Sequence, residues 1–148
     1  MRTILAALGA AAVAVMAMAE GTVTTSVRKL GHVNRVAVSW ASTTNNSASG
    51  TIGYIRGEIA RVETYVGTSL IPSNSYDVTL TDEAGVDVLA GLGANQATNT
   101  AQSFVPMETA RDGGAITTAV PFAVNDLLMF EATGTGTNRA GTLVLYVK

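Results

Sequence analysis

The chain contains no cysteine and a single histidine, His32. The first absence excludes disulfide scaffolds, cysteine-ligated zinc and thiol nucleophiles. The second leaves no material for a histidine-rich metal centre, and a triad resting on histidine would have one residue to draw on. Charge is also scarce. Only 14% of the 148 residues are charged, against about 25% in an ordinary soluble domain. The net charge is −2, which argues against a nucleic-acid-binding surface built on clustered lysine and arginine. Aromatic residues make up 5% and there are three prolines. The length suits one domain. No cofactor, no metal and no enzymatic activity is expected.

What the chain does have is threonine, valine, glycine and alanine. Its mean hydropathy of +0.31 owes much to the N-terminus. Met1-Arg2-Thr3 is a short basic start, Ile4 to Val15 is apolar, and Ala17-Met18-Ala19 precedes Glu20. Three readings are open: a cleaved secretory signal, a start assigned too early with Met16 or Met18 as the true one, or an uncleaved docking helix. The apolar run is shorter than the roughly 20 residues of a membrane span. The chain therefore divides into an apolar segment, 1–19, and a β-sandwich domain, 20–148.

The body reads as all-β, because β-branched side chains fit a pleated surface. Thr22 to Leu30 reads as an edge or arm strand. In His32 to Ala41, Val36, Val38 and Trp40 share one face. Thr51 to Val66 is a long strand with Gly53 and Gly57 marking a bulge or bend; strict alternation puts Ile59 with Arg61, and Val62 with Thr64, on opposite faces. Tyr76, Val78 and Leu80 point inward. Val86 to Ala90 is a short strand or a helical turn. Further strands are expected over Thr100 to Met107 and Ile116 to Val124, around a turn at Arg111-Asp112-Gly113-Gly114. Leu127 to Thr133 and Thr142 to Val147 are expected to pair as a hairpin. The sum is a single antiparallel β-sandwich or jelly-roll-like domain of about eight strands. The expected core is Val36, Val38, Trp40, Ile59, Val62, Tyr76, Val78, Leu80, Leu89, Phe104, Val120, Leu128, Phe130, Leu143 and Leu145.

The search for chemistry is thin. Glu58 and Glu63 lack the facing geometry of a glycosidase pair. Asp82, Glu83 and Asp87 surround a glycine turn; an acidic turn explains them better than a calcium site. Ser39 and Ser103 lack a nucleophile-elbow context. Gly91-Leu92-Gly93-Ala94-Asn95 lacks the lysine and helix of a phosphate loop. Arg28, Lys29, Arg35, Arg56 and Arg61 gather base in the first strands. That asymmetry suits an acidic neighbour, although a solvated face is the commoner use of such residues.

Three stretches carry a resemblance. They are Gly21-Thr22-Val23-Thr24-Thr25-Ser26-Val27-Arg28-Lys29-Leu30-Gly31, the block from Tyr76 to Gly91 (YDVTLTDEAGVDVLAG), and Gly141-Thr142-Leu143-Val144-Leu145-Tyr146-Val147. Together they resemble a group of small proteins encoded among the virion genes of tailed bacteriophages, over residues 21–148. The middle block is the specific part. Chains of that group begin just before the Gly-Thr-Val-Thr stretch, so residues 1–17 depart from the pattern. The resemblance implies a virion structural role at the capsid surface, as a decoration or cement protein. Its partners would be the major capsid protein or other virion proteins, and further copies of itself in a homo-oligomer. Thr22, Val23, Thr24, Arg28, Lys29 and Arg35 are the candidate partner-binding residues. Two alternatives stand beside this one. The first is a tail or head–tail component. The second is a secreted bacterial β-sandwich that binds glycan through Trp40, Tyr54 and Tyr65.

Overall fold

A computed structural model describes residues 21–73, 75–112 and 115–148. The apolar segment 1–19 and Gly113-Gly114 lie outside the described residues. Among the described residues the body is all-β and antiparallel, with nine strands: β1 (Thr22–Leu30), β2 (Val33–Ala41), β3 (Ala48–Val66), β4 (Asp77–Thr81), β5 (Gln102–Phe104), β6 (Met107–Asp112), β7 (Ala115–Pro121), β8 (Ala123–Thr133) and β9 (Ala140–Val147). Among the described residues no helix is long and apolar enough to cross a membrane.

The architecture is a β-sandwich whose two layers share β3. The first part of this 19-residue strand pairs with β8, which pairs with β4. Its second part pairs with β9 on one side and β5 on the other, and the layer continues through β2 to β1. Strands that change layers do so at bulges and bends. Here the register shifts between Ile59 and Arg61, and Gly57 just before it has φ 138°. A Cβ at Gly57 would sit 2.5 Å from the Lys148 carbonyl oxygen. Glycine is therefore required at the bend.

That bulge corrects the strict alternation expected of this strand. Ile59 is buried on the same side as Val62 and Thr64, while Arg61 is exposed. One extra residue reverses the parity of everything beyond it. An irregularity also falls at Thr51/Gly53, as the glycine there suggested.

The core lies between the layers. One layer supplies Val36, Val38 and Trp40 from β2, Leu143, Leu145 and Val147 from β9, and Val62 from β3; the other supplies Val78 and Leu80 from β4 and Leu128, Phe130 and Ala132 from β8. Trp40 meets Tyr76 at 5.6 Å between ring centroids. Burial pushes the Tyr76 hydroxyl up to about 12. Two expected core residues differ. Phe104 is only half-buried against the cluster, and Val120 on the separate β6–β7 hairpin is 47% exposed. Ile52, Ile55, Val88, Val124 and Val147 are buried without having been expected so.

The hairpin expected between Leu127–Thr133 and Thr142–Val147 does not form. β8 pairs with β3 and β4, whereas β9 pairs with β2 and β3. The segment 134–139 carries the chain from one layer to the other, with β3 belonging to both. It is held by Ser42, which donates its hydroxyl to Gly136 O at 2.8 Å and its N–H to Arg139 O at 2.7 Å. The strand expected over Thr100–Met107 is split into β5 and β6 before and after Val105-Pro106, and Pro121 ends β7, since proline cannot donate to a ladder.

Residues 82–97 close over the outer edge of β4. Val88 N–H donates to Leu80 O at 2.8 Å, Val78 N–H to Gly93 O at 2.8 Å, and Gln96 N–H to Tyr76 O at 2.7 Å. Val86 to Ala90 forms turns rather than a strand, and it drives Val88 and Leu89 into the core. Gly93 lies flat on this edge, and a Cβ there would stand 2.0 Å from Val78 O. Gly93→Ala should therefore cost about 2–3 kcal/mol. Urea unfolding should show a lower midpoint at unchanged slope; an unchanged midpoint would contradict the packing described.

Candidate interaction surface

The outer face of the larger layer is built in rows by strand register. Arg28 on β1 faces Arg35 on β2, Arg35 faces Tyr146 on β9, and Tyr146 faces Arg61 on β3. The next row is Ser26, Ala37, Val144, Glu63 and Ser103; the one after is Thr24, Ser39, Thr142 and Tyr65. Cross-strand neighbours stand near enough to interact. Ala37 and Val144 at the centre are buried under their neighbours, the exposed short side chains are Thr24, Ser26, Ser39 and Ser103, and a basic strip runs along one side.

Glu63 is the hub at one end of this strip. It accepts hydrogen bonds from the Tyr65 hydroxyl and, at 2.9 Å, from the Tyr146 hydroxyl, and it pairs with Arg61 Nη2 at 3.1 Å. The Arg61 guanidinium also lies over the Tyr146 ring, 4.3 Å from its centroid. The Tyr65 hydrogen bond lowers the Glu63 pKa most. Burial opposes this, and Tyr146, Arg61 and Arg35 lower the pKa further. The same hydrogen bond raises the Tyr65 pKa. A carboxylate with three donors and a lowered pKa is a poor proton acceptor, so the cluster suits holding a shape better than moving a proton.

At the other end the balance differs. Arg28 and Arg35 are directly opposed like charges, an unfavourable pair. Among the described residues neither they nor Lys29 has a carboxylate within ion-pair distance. Arg35 acts on Glu63 only at longer range, and the positive charge of Arg28 and Lys29 on β1, the end strand of the layer, has no ion-pair partner among the described residues.

Of the residues the sequence singled out, the structure brings Thr22, Thr24, Arg28 and Arg35 onto this one face. Val23 and Lys29 have the opposite parity. Val23 is half-buried against the core beside Gly50, and Lys29 faces Asn34 near the hairpin end. Tyr146 and the pairing of Arg61 with Glu63 were missed as part of the surface. Arg61 and Tyr146 meet only through the β3–β9 register, and the bulge after Ile59 decides which way Arg61 points.

Next to β1 a small groove of about 170 Å³ is lined by Val27, Val36, Ile55 and Val147 together with Asn34, Tyr54 and Arg56. Val27 is strongly exposed here, at 64%.

The aromatic platform of the glycan reading is not assembled. Trp40 is 3% exposed. Tyr54 and Tyr65 belong to the outer rows of different layers, Tyr54 opposite Leu127 and Tyr65 opposite Thr142. The acidic turns have structural work. Asp87 accepts N–H groups from Leu80 at 3.2 Å, Leu89 at 3.0 Å and Gly91 at 2.9 Å. Asp82 accepts from Val86 at 2.8 Å and Asp77 from Asn95 at 2.7 Å. Among the described residues no three His, Asp or Glu side chains gather to hold a metal ion. His32 occupies the β1–β2 turn.

Comparison with protein-family models, with curated proteins and with solved structures finds no match for this chain.

The lowered Glu63 pKa has a consequence for stability. The folded state favours the ionised form, so the contribution is complete above the ordinary value of 4.5 and is lost as pH falls through the lower folded value. Stability should therefore drop below pH 4.5 in part through Glu63. Glu63→Gln should flatten that part of the profile, measured by urea midpoints across pH; identical acid limbs for both proteins would contradict the assignment.

Proposed function

We propose that this chain is a non-enzymatic structural protein of a bacteriophage virion, a capsid decoration or cement protein that binds between capsid subunits. Three features support the reading. The stretches Gly21–Gly31, Tyr76–Gly91 and Gly141–Val147 resemble small virion proteins of tailed phages. The outer face of the larger layer exposes the short side chains of Thr24, Ser26, Ser39 and Ser103, which suit close contact. The observation that carries most weight is the basic pair of Arg28 and Arg35, which runs to the end strand of that layer and makes no ion pair among the described residues.

The physics of the role is mass action. A protein that binds the assembled shell and not its free subunits stabilises the shell by RT ln(1 + [L]/Kd). Many symmetric copies add small contributions, and a homo-oligomer multiplies the contacts each unit makes. Basic strips of this kind set orientation and partner choice more than raw affinity.

Quantitative mass spectrometry of the purified particles tests the proposal. A copy number close to that of the main shell protein is expected, and particles deprived of the protein should release their contents at lower temperature. A few copies per particle would replace decoration by a tail or vertex position. Absence from particles, with a secreted form beginning at Glu20, would overturn the virion reading altogether.

A further inference from the structure

Every sheet edge has unpaired backbone groups, and proteins cover or guard them. This chain covers the outer edge of β4 with residues 82–97, down to the Asp87 carboxylate that accepts the Leu80 N–H. β5 occupies one side of β3. β1 is treated differently. It is nine residues long, it ends the layer, and among the described residues it pairs only with β2.

The direction of its free groups follows from the turn. Leu30 and Val33 flank a two-residue connection in which Gly31 has φ 63° and His32 lacks a positive φ, the pattern of a type II′ turn. The residues flanking such a turn bond to each other, and bonding then alternates along the strand. Leu30, Arg28, Ser26, Thr24 and Thr22 therefore direct their backbone groups at β2. Lys29, Val27, Thr25 and Val23 direct theirs outward. The Thr24 hydroxyl reaching Ser39 O at 3.4 Å agrees, since it places that carbonyl on the β1 side.

The two faces beside this open edge differ in chemistry. The outer face presents Arg28 and Arg35 with no carboxylate in ion-pair contact among the described residues. The inner face presents Val27 beside a groove whose apolar part is formed by Val36, Ile55 and Val147, with Asn34 and Arg56 also lining it. A strand added to β1 would place alternate side chains on these two faces.

We propose that β1 accepts an extended segment of another protein by strand addition, the segment carrying acidic side chains at one parity and apolar side chains at the other. Main-chain hydrogen bonds to Thr25, Val27 and Lys29 supply affinity. Arg28 and Arg35 select the acidic parity, and Val27 and the groove select the apolar one. Charge favours this occupant over a second copy of the chain, because a copy of β1 would bring Arg28 and Lys29 rather than carboxylates. The identity of the donor as a capsid subunit rests on the virion reading; the chemistry of the acceptor edge does not.

The test uses the full chain and two probes. The first is a synthetic nine-residue peptide alternating glutamate and valine, with a control in which lysine replaces glutamate. The expected result is new amide-exchange protection at Thr25, Val27 and Lys29 with the glutamate peptide alone, weakening as salt rises. Thr25→Pro removes an outward N–H without touching the β2 ladder, and Arg28→Glu reverses an exposed charge without depending on backbone tolerance. Each should weaken binding about tenfold or more. No protection, equal protection by the lysine peptide, or protection of these amides already present in the free protein would overturn the proposal; the last would mean that the chain or a second copy occupies the edge. The second probe is shells lacking the protein. If wild type binds them and both variants bind equally well, strand addition fails while the virion reading stands. If the peptide binds β1 and the shells do not bind at all, the virion reading fails and the acceptor edge stands.

Discussion

The bend in β3 is the constraint on which the rest depends. Glu58 and Lys148 exchange backbone hydrogen bonds there, Glu58 N–H to Lys148 O at 2.8 Å and Lys148 N–H to Glu58 O at 3.0 Å. This ties the last residue of the chain to the point where β3 leaves one layer and enters the other. Gly57 makes the approach possible, and the extra residue after Ile59 resets the parity. As a result Ile59 enters the core and Arg61 emerges beside Tyr146. Without the bulge, Arg61 would face the apolar interior, where a charge without a partner is costly.

A second organising feature is the way polar groups are handled at the layer margins. Within residues 82–97 the Asp82 and Asp87 carboxylates accept backbone N–H groups, Asp82 from Val86 and Asp87 from Leu80 of β4, Leu89 and Gly91. Buried Gln96 accepts from the Thr64 hydroxyl at 2.9 Å and donates to Leu92 O at 3.0 Å, linking this cover to the larger layer. Among the described residues no buried side-chain nitrogen or oxygen lacks a partner. An interior this well satisfied sets off the open β1 edge, where Arg28 and Lys29 make no ion pair among the described residues. Charge on an edge also guards against aggregation, and the two uses are compatible, since a basic edge repels its own copies while admitting an acidic strand.

Much of the fold was legible in the sequence, for a local reason. Period-two alternation identified Val36, Val38 and Trp40, and Tyr76, Val78 and Leu80, because each run needs only its own neighbours to declare a buried face. The candidate surface was legible in part. Basic residues on β1 and β2 stood out by composition, but the division that sets Arg28 and Arg35 against Val23 and Lys29 needed the pairing. The expected β8–β9 hairpin failed because proximity in sequence is a weak guide when a long strand belongs to both layers.

The sequence by itself determined an all-β body, the positions of most strands, the inward faces of β2 and β4, and the poverty of catalytic side chains. It did so because composition and alternation are local properties of the chain. The tertiary structure alone decided which strands are neighbours, where β3 changes layer, and that Arg28, Arg35, Tyr146 and Arg61 form one row. Those are matters of register between distant segments, and a single inserted residue can reverse them.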